Sequence, residues 1–385
     1  MPPTIRSGQL ATTDVLSNQL VIDMREELFQ YDPPGSPGMT ILTKRAQVVP
    51  AASTKVEWLE DEPVPYWFRS EAASTSSSAT SLVITASADA ILPGALLKVV
   101  STNEVLRVTA VNSGTNTLTV TRGYVGTAAT IPASSWIINL SVAEMEGDTS
   151  PNALATVKVP KYNYTSIVKT PVHLSNTNLA VKHYTGDERS LQRRKAAEAH
   201  ARRWEEIMLH GRAKLDTSTA SKAIRFSGGL DETIATNVLA AGGSMTESSF
   251  NDFVGDCFRY SVKAGRSSKL LFASREVIAT INSWGLNKLQ MNEKASATYG
   301  MSVSTYVSGF GDLQVIPHPL LENGYAGTAY IIDPDGIVYR PLRRTQLHTD
   351  IQNPAEDGVK DEYRTEASFQ FALEKSHGKI TGVTF

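Results

Sequence analysis

Hydrophobic and polar residues repeat with two different periods along the chain, and the change of period divides it into regions. Residues 117–121 have the sequence TLTVT, in which every second residue is apolar, and Leu106, Val108 and Ala110 repeat that spacing before a turn at 112–116. A period of two is typical of a half-buried strand. Short strand patterns of this kind continue from residue 82 to residue 140 without a helical segment. We therefore predict a small β-barrel or β-sandwich inserted at 72–142.

The clearest helical pattern lies at residues 186–210. Thr185 followed by Glu188 is a capping box, which satisfies backbone donors at the start of a helix. Gly211 is expected to end this helix in a left-handed conformation. The apolar stripe of the helix is thin and consists of Leu191, Ala197, Ala201, Trp204, Ile207 and Met208. Such a stripe predicts a helix that lies across a surface.

Residues 246–340 combine both periods and predict a compact α+β unit. A helix over 250–261 places Phe250, Phe253 and Cys257 on one face. A second helix follows at 277–284, and Asp333 begins a tight turn. Strands are predicted at 269–273, 303–307, 313–316, 329–333 and 336–340, with a final alternating stretch at 366–383.

The first part of the chain contains apolar residues with few local partners. Residues 1–45 are predicted to be an arm with one short helix at 16–29, followed by a proline-rich break at 32–38. Residues 46–70 and 154–184 have extended patterns with several aromatic residues. Segments of this kind gain burial and backbone hydrogen bonds by adding to the sheet edge of another molecule.

Composition excludes several classes of protein. The 385 residues are 41% hydrophobic, which is sufficient for a core and excludes general disorder. Lys plus Arg is 37 and Asp plus Glu is 39, whereas dedicated nucleic-acid binders carry a basic excess. The single cysteine excludes an intramolecular disulfide. No apolar run reaches the roughly 20 residues that span a membrane, so no membrane partner is expected.

Catalytic and metal-binding patterns are missing from the sequence. No two of the seven histidines are three or four residues apart, the spacing that lets one helix offer two ligands to a metal ion. Cys257 lies on an apolar stripe rather than in the electropositive setting of a nucleophile. Asp333 and Asp335 resemble the start of a calcium loop, but its further ligands are missing, and a plain turn is favoured. We predict no enzyme activity, no cofactor and no bound metal.

Basic residues cluster on the predicted helix at 193–195 and 202–203. One interpretation is a ridge that faces phosphate groups. The favoured interpretation is a solvated face, paired with Glu198, Glu205 and Glu206 at helical spacing, or a set of ion pairs with another protein.

Three stretches of the sequence carry a resemblance to a known family. They are VTRGYVGT at 120–127, the pair YTSI at 164–167 and VKHY at 181–184 before the helix, and residues 366–373 with HGKITG at 377–382. In this order they resemble the major capsid proteins of tailed bacteriophages, of the Hong Kong 97-type fold and the SU10-like subgroup. The resemblance loosely covers residues 80–385.

The resemblance implies an α+β subunit with an all-β insertion domain. Its parts would be an N-terminal arm at 1–45, an extended loop at 46–175 that carries the insertion at 72–142, a peripheral domain at 176–245 with a spine helix, an axial domain at 246–335, and returning C-terminal strands at 336–385. We expect inter-subunit contacts at Trp58, Tyr66, Trp67, Tyr162, Tyr164, Arg189, Arg193, Arg194, Arg202 and Arg203.

The implied function is that of the head protein of a virion, assembled in the host cytoplasm. Copies would form hexamers and pentamers of an icosahedral shell around double-stranded DNA, which they would contact weakly and without sequence specificity. Further expected partners are a scaffolding protein, a portal and a decoration protein. Two alternatives stay open: another virion component, such as a decoration or tail protein, and a polysaccharide-active enzyme that uses two carboxylates.

Overall fold

The computed structural model describes residues 47–74, 76–142, 146–147, 152–183, 186–218, 222–262, 268–284, 289–291 and 304–384. The predicted arm at 1–45 and its helix at 16–29 lie outside the described residues. The chain divides into two units. One is Leu59–Pro160, which we call the barrel unit, and the other is the flanking chain, which we call the large unit.

The described strands are, in chain order, β1 (Gln47–Val48), β2 (Lys55–Glu60), β3 (Trp67–Arg69), β4 (Ser81–Val83), β5 (Ala95–Val99), β6 (Val105–Asn112), β7 (Thr117–Val125), β8 (Trp136–Val142), β9 (Val159–Tyr164), β10 (Ser166–Ser175), β11 (Lys214–Asp216), β12 (Ile224–Phe226), β13 (Val238–Gly243), β14 (Ser268–Ala273), β15 (Leu289–Met291), β16 (Ser304–Val307), β17 (Asp312–Pro317), β18 (Ala329–Ile332), β19 (Ile337–His348), β20 (Gly358–Phe371) and β21 (Gly378–Val383). The described helices are α1 (Asn176–Ala180), α2 (Glu188–His210), α3 (Leu230–Thr233), α4 (Glu247–Phe258) and α5 (Arg275–Ser283).

The barrel unit is a six-stranded sheet in the order β3-β8-β5-β6-β7-β4. An antiparallel bridge between Ser70 and Ile84 joins its two ends, so the sheet closes into a barrel and has no free edge there. Alternate residues of the strands point inward, as the period of two requires. They form one core of Phe68, Leu82, Ile84, Ala88, Ile91, Ala95, Leu97, Val99, Leu106, Val108, Leu118, Val120, Ile131 and Ile137.

The barrel begins upstream of the predicted start of the insertion at residue 72. Strand β3 belongs to the sheet and pairs with β8. Its central residue, Phe68, is buried in the barrel core. A three-residue strand is too short to show a period, which is why the sequence pattern did not reveal it.

The VTRGYVGT motif holds a buried ion pair inside the barrel unit. Arg122 donates from Nε to Oε1 of Glu104 at 3.0 Å and from Nη2 to Oε2 at 2.8 Å, and the Glu104 side chain is fully buried. Gly123 adopts a φ of 59° and donates its backbone N–H to the same carboxylate at 2.7 Å. Burial alone raises the pKa of Glu104, but the hydrogen bonds from Arg122, Gly123 and Ala129 outweigh it and lower that pKa. The motif therefore joins β7 to the residue that precedes β6.

The large unit contains a four-stranded sheet in the order β1-β19-β20-β10. Strand β20 pairs antiparallel with β10 over ten residues and with β19 on its other side. Trp204 of α2 is buried and packs edge-on against Phe369 of β20, with ring centroids 6.0 Å apart. This contact places α2 against the sheet.

Both ends of α2 differ from the predicted caps. The helix begins at Glu188, and the N-cap is Asp187, whose carboxylate accepts from the backbone N–H of Arg189 at 3.2 Å. Thr185 lies outside the described residues. Gly211 has a φ of −59°, so the prediction of a left-handed cap is wrong. A glycine is needed there because a Cβ would overlap the backbone oxygens of Ile207 and Ser227.

A seven-stranded mixed sheet forms the rest of the large unit, in the order β13-β21-β18-β14-β17-β16-β15. The predicted turn at Asp333 joins β18 to β19. Helices α4 and α5 contribute Phe250, Phe253, Cys257 and Val277 to its core. Two further two-stranded sheets are formed by β2 with β9 and by β11 with β12.

Excising the barrel at its natural boundary should leave the large unit folded. Asp61 and Thr156 are joined by a side-chain hydrogen bond of 3.1 Å, so a short Gly-Ser linker can replace residues 62–155. No residue of the barrel core belongs to either core of the large unit. We expect cooperative thermal unfolding of the excised chain by circular dichroism.

Replacing only residues 72–142 should reduce solubility, because Phe68 then loses its core. Loss of cooperative unfolding in the 62–155 excision would contradict this independence.

Trp204→Asp should unfold the large unit more easily than wild type. The substitution removes a buried indole and places an unpaired charge in an apolar contact, which together cost about 4 kcal/mol or more. Urea denaturation followed by circular dichroism measures this change in the free energy of unfolding. Trp204→Phe is the matched control and should cost clearly less, since it keeps an aromatic ring against Phe369.

Candidate subunit-contact surfaces

The two-stranded sheet of β2 and β9 presents aromatic side chains to solvent. Tyr162 is 52% exposed, and its ring meets that of Tyr164 edge-on at 5.5 Å. The Lys55 ammonium lies 4.4 Å from the Tyr162 ring centroid. Trp58, on β2, is half-buried. Three of the predicted contact residues, Trp58, Tyr162 and Tyr164, therefore lie on one ribbon. A two-stranded sheet alone is only marginally stable in water, so this ribbon gains most from a further partner.

The chain that leads into β9 is extended and lacks regular secondary structure. Every residue from 152 to 158 is exposed. Val157 is 84% exposed, and Leu59, near the end of β2, is 64% exposed. Exposed valine and leucine side chains gain about 1.5–3 kcal/mol when they are fully buried. This end of the ribbon, which comprises Leu59 and the exposed chain at Val157 and which we call the ribbon end, is therefore a candidate contact surface.

An aromatic group lies on the outer wall of the barrel. Tyr66 and Trp67, both predicted contact residues, have ring centroids 6.5 Å apart. Trp67 meets Trp136 edge-on at 6.0 Å, and the Arg69 guanidinium lies 4.3 Å from the Trp136 ring. Trp67 and Trp136 are each 40% exposed. Trp136 was missed in the sequence because only the pairing of β3 with β8 brings it opposite Arg69 and beside Trp67, and the role of Arg69 depends on the same pairing.

Three basic residues of α2 have hydrogen-bond partners on neighbouring strands. Arg189 donates to both oxygens of Asp361, at 2.9 and 2.8 Å, and Arg193 donates to Oδ2 of the same carboxylate at 2.9 Å. The hydrogen bond from Arg189 is the main cause that holds the pKa of Asp361 far below its usual range. Arg203 donates to the backbone oxygen of Lys169 at 3.1 Å. These three arginines hold α2 to β10 and β20.

The exposure of the other helix arginines differs from one to the next. Arg194 and Arg203 are exposed, whereas Arg202 is half-buried and has an interaction within the chain. Arg189 and Arg193 are committed to Asp361, which disfavours a phosphate-facing ridge built from the whole basic cluster. A contact of these arginines with another molecule stays a prediction.

Glu205 does not belong to a solvated face, which corrects the expected pairing with arginines at helical spacing. Its side chain is fully buried, and Oε1 lies 2.6 Å from Nε2 of His318, which is also fully buried. His200 is buried as well and bonds to Thr170 at 2.9 Å and Thr365 at 2.7 Å. No pattern in the sequence indicates these contacts, because the partners are over a hundred residues away or lie on separate strands.

The groups that could support chemistry are used structurally. Burial raises the pKa of the Cys257 thiol to about 12, so it stays protonated at neutral pH. Lys269 is fully buried and donates to the backbone oxygens of Cys257 and Ser376, each at 2.6 Å, and of Tyr260 at 3.0 Å. Asp333 accepts from the backbone N–H of Asp335 at 3.1 Å, as a turn residue does.

Neither a metal site nor a membrane segment is found in the described part of the chain. Among those residues, no three His, Cys, Asp or Glu side chains are grouped so that they could hold a metal ion. No described helix has the length and apolar character needed to cross a membrane.

A comparison with protein families gives one match. The family model described as SU10 major capsid protein matches residues 8–384. A search of curated proteins found no match.

Three solved structures with a similar fold come from two phages and a GTA particle. The capsid of a native GTA particle is 8% identical, with a TM-score of 0.53, over 98% of this chain and 100% of that chain. A chain of Gordonia phage Cozz is 10% identical, with a TM-score of 0.50, over 100% and 98%. A chain of Microbacterium phage Oxtober96 is 8% identical, with a TM-score of 0.50, over 97% and 99%. At this identity the likeness concerns the fold alone. The predicted α+β, Hong Kong 97-type fold is confirmed.

Asp361→Asn should destabilise the large unit at neutral pH. It removes the charge from a buried carboxylate and leaves two arginines without their partner, at a cost of about 3 kcal/mol. Because the folded pKa of Asp361 is lowered, its stabilising effect is present above the ordinary aspartate pKa of about 4 and is lost as pH falls below it.

Urea denaturation of wild type and Asp361→Asn between pH 7 and pH 3 measures this effect, and the difference should shrink toward pH 3. Asp350→Asn is the matched control, because Asp350 binds the same Arg189 at 2.8 Å but is exposed. Exposed ion pairs contribute about 0–1 kcal/mol. Equal effects of the two substitutions would contradict the role of the buried carboxylate.

Proposed function

Since the chain belongs to the SU10 major capsid protein family, we propose that its copies assemble into the hexamers and pentamers of an icosahedral shell around double-stranded DNA. The protein is a major capsid protein of a tailed bacteriophage and a component of the virion. The observation that carries this conclusion is the family match over residues 8–384. It favours a capsid subunit over a decoration or tail protein and over a polysaccharide-active enzyme.

The exposed apolar surfaces support assembly from many copies. The ribbon end has Leu59 and Val157 in solvent, and the sheet of β11 and β12 exposes Leu215, Ile224 and Phe226. Surfaces of this kind on a soluble chain are typical of protein interfaces. Each contact needs only modest affinity, because a subunit in a closed shell makes several linked contacts at once.

The subunit layout is part of the proposal. We assign α2 to the peripheral domain at 176–245, and β19 and β20 to the returning strands at 336–385, while β1 and β10 of the same sheet fall within the range 46–175. Strands β14 to β18 of the seven-stranded sheet fall within the axial domain at 246–335, and β13 and β21 of that sheet lie outside this range. The arm at 1–45 and the extended loop at 46–175, which carries the barrel, would reach neighbouring subunits. We propose contacts there through Trp58, Tyr66, Trp67, Tyr162 and Tyr164.

The proposed partners are packaged DNA and the proteins that the capsid role implies. A formal net charge of −2 suits a container that contacts its DNA weakly, because a strongly basic lining would hold DNA through counterion release. Assembly in the host cytoplasm, with a scaffolding protein, a portal and a decoration protein, completes the proposal.

Purified wild-type chain should assemble in a concentration-dependent manner. Sedimentation velocity and negative-stain microscopy, with and without a co-expressed scaffolding protein, should detect capsomers, shells or tubes. Val157→Asp should raise the protein concentration needed for half-maximal assembly by about tenfold or more. It should leave the melting temperature of the free subunit unchanged, since Val157 is 84% exposed. A wild-type chain that stays monomeric in every condition contradicts the proposed function.

A further inference from the structure

The outer wall of the barrel carries a band of mostly apolar side chains, interrupted by Lys98. The band follows cross-strand pairs: Trp67 with Ile138, Ile138 with Lys98, Lys98 with Val105, and Val105 with Val125. These side chains point outward, because their sequence neighbours Phe68, Ile137, Leu97, Val99 and Leu106 fill the core. Outward positions of a solvated antiparallel sheet are normally polar. A contiguous apolar patch at such positions marks an interaction surface.

The β3 end of this band has the composition of a protein interface. Tyr66, Trp67, Arg69 and Trp136 form one contacting group, with the Arg69 guanidinium over the Trp136 ring. Tryptophan, tyrosine and arginine are the residues that contribute most binding energy in protein interfaces. Arg69 is exposed, and Lys98 lies in the same band, so the wall is basic as well as apolar. A fitting partner is therefore acidic and apolar.

The same chain carries an acidic, apolar surface at the ribbon end. Asp61 lies between two glutamates, Glu60 and Glu62, directly after the exposed Leu59. The hydrogen bond from Thr156 to Asp61 places the exposed Val157 near this acidic stretch. Within one chain the two surfaces do not cover each other, since Leu59 and Tyr66 are both strongly exposed.

We propose that the barrel wall of one copy binds the ribbon end of a neighbouring copy. Arg69 and Lys98 face the acidic stretch around Asp61, while the two tryptophans cover Leu59 and Val157. The inference rests on the proposed function, because it requires neighbouring copies. Two different surfaces meet in this contact, so it is heterologous, and it forms a ring when the rotation between neighbouring copies closes. Contact between two identical walls would instead bring Arg69 and Lys98 against the same cations.

Charge reversal on either side tests this pairing. Arg69→Glu and Asp61→Lys should each raise the protein concentration needed for half-maximal assembly by about tenfold. The double variant Arg69→Glu, Asp61→Lys restores opposite charges across the contact and should recover most of the assembly. Light scattering and negative-stain microscopy measure assembly, and the melting temperature of the free subunit confirms that each variant is folded.

Two controls separate a specific contact from the general effect of changing a surface charge. Arg69→Lys keeps the positive charge and should assemble nearly as wild type does. Arg212→Glu reverses an exposed arginine outside both surfaces and should also assemble normally.

The outcomes distinguish the docking from the proposed function. If the single reversals assemble as wild type does, or if the double variant assembles no better than the singles, the docking is overturned and the capsid function stands. Normal assembly of the single variants is also the result expected if the wall binds a different protein or a glycan. If wild type never assembles, the proposed function falls and the docking falls with it.

Discussion

Strand β20 is the element on which the large unit depends. Its fourteen residues pair with β10 on one side and β19 on the other, so segments nearly two hundred residues apart in sequence are joined through it. Phe369 and Phe371 of this strand belong to the same core as Trp204. Asp361, nearer its start, binds Arg189 and Arg193. Helix α2 is thus fixed by apolar packing toward one end of β20 and by charge near the other.

Buried charges recur in both units, and three of them bind partners within their own unit. Glu104 binds Arg122 in the barrel, Asp361 binds two arginines, and Lys269 binds three backbone oxygens. Burying a matched pair adds little stability by itself, whereas breaking one is costly. We infer that these pairs fix register and orientation, because each ties together elements that local pairing leaves independent.

The sequence predicted the elements with a long and regular period, and it failed where contacts between distant residues decided the outcome. Helix α2 was located to within two residues at its start. Its buried face was only partly recognised, because that face includes His200 and Glu205, which are buried against polar partners from other strands. Barrel closure through Ser70 and Ile84 and the pairing of Glu104 with Arg122 have no spacing rule, so only the folded chain reveals them. The aromatic contact residues could be named from composition, but Trp136 required the strand pairing.

Some charged groups of this chain are buried and some large apolar side chains are exposed, and this distribution suits a subunit of a shell. The buried charges with partners connect elements within each unit. Trp67 and Val157 are exposed in the single chain, and in the proposed assembly they contribute contact energy when a neighbour covers them. Because the wall and the ribbon end differ in charge, they favour contact with each other over contact with themselves. Exposed apolar surface of this kind would cause aggregation in a free protein, whereas charge complementarity directs it toward one ordered arrangement.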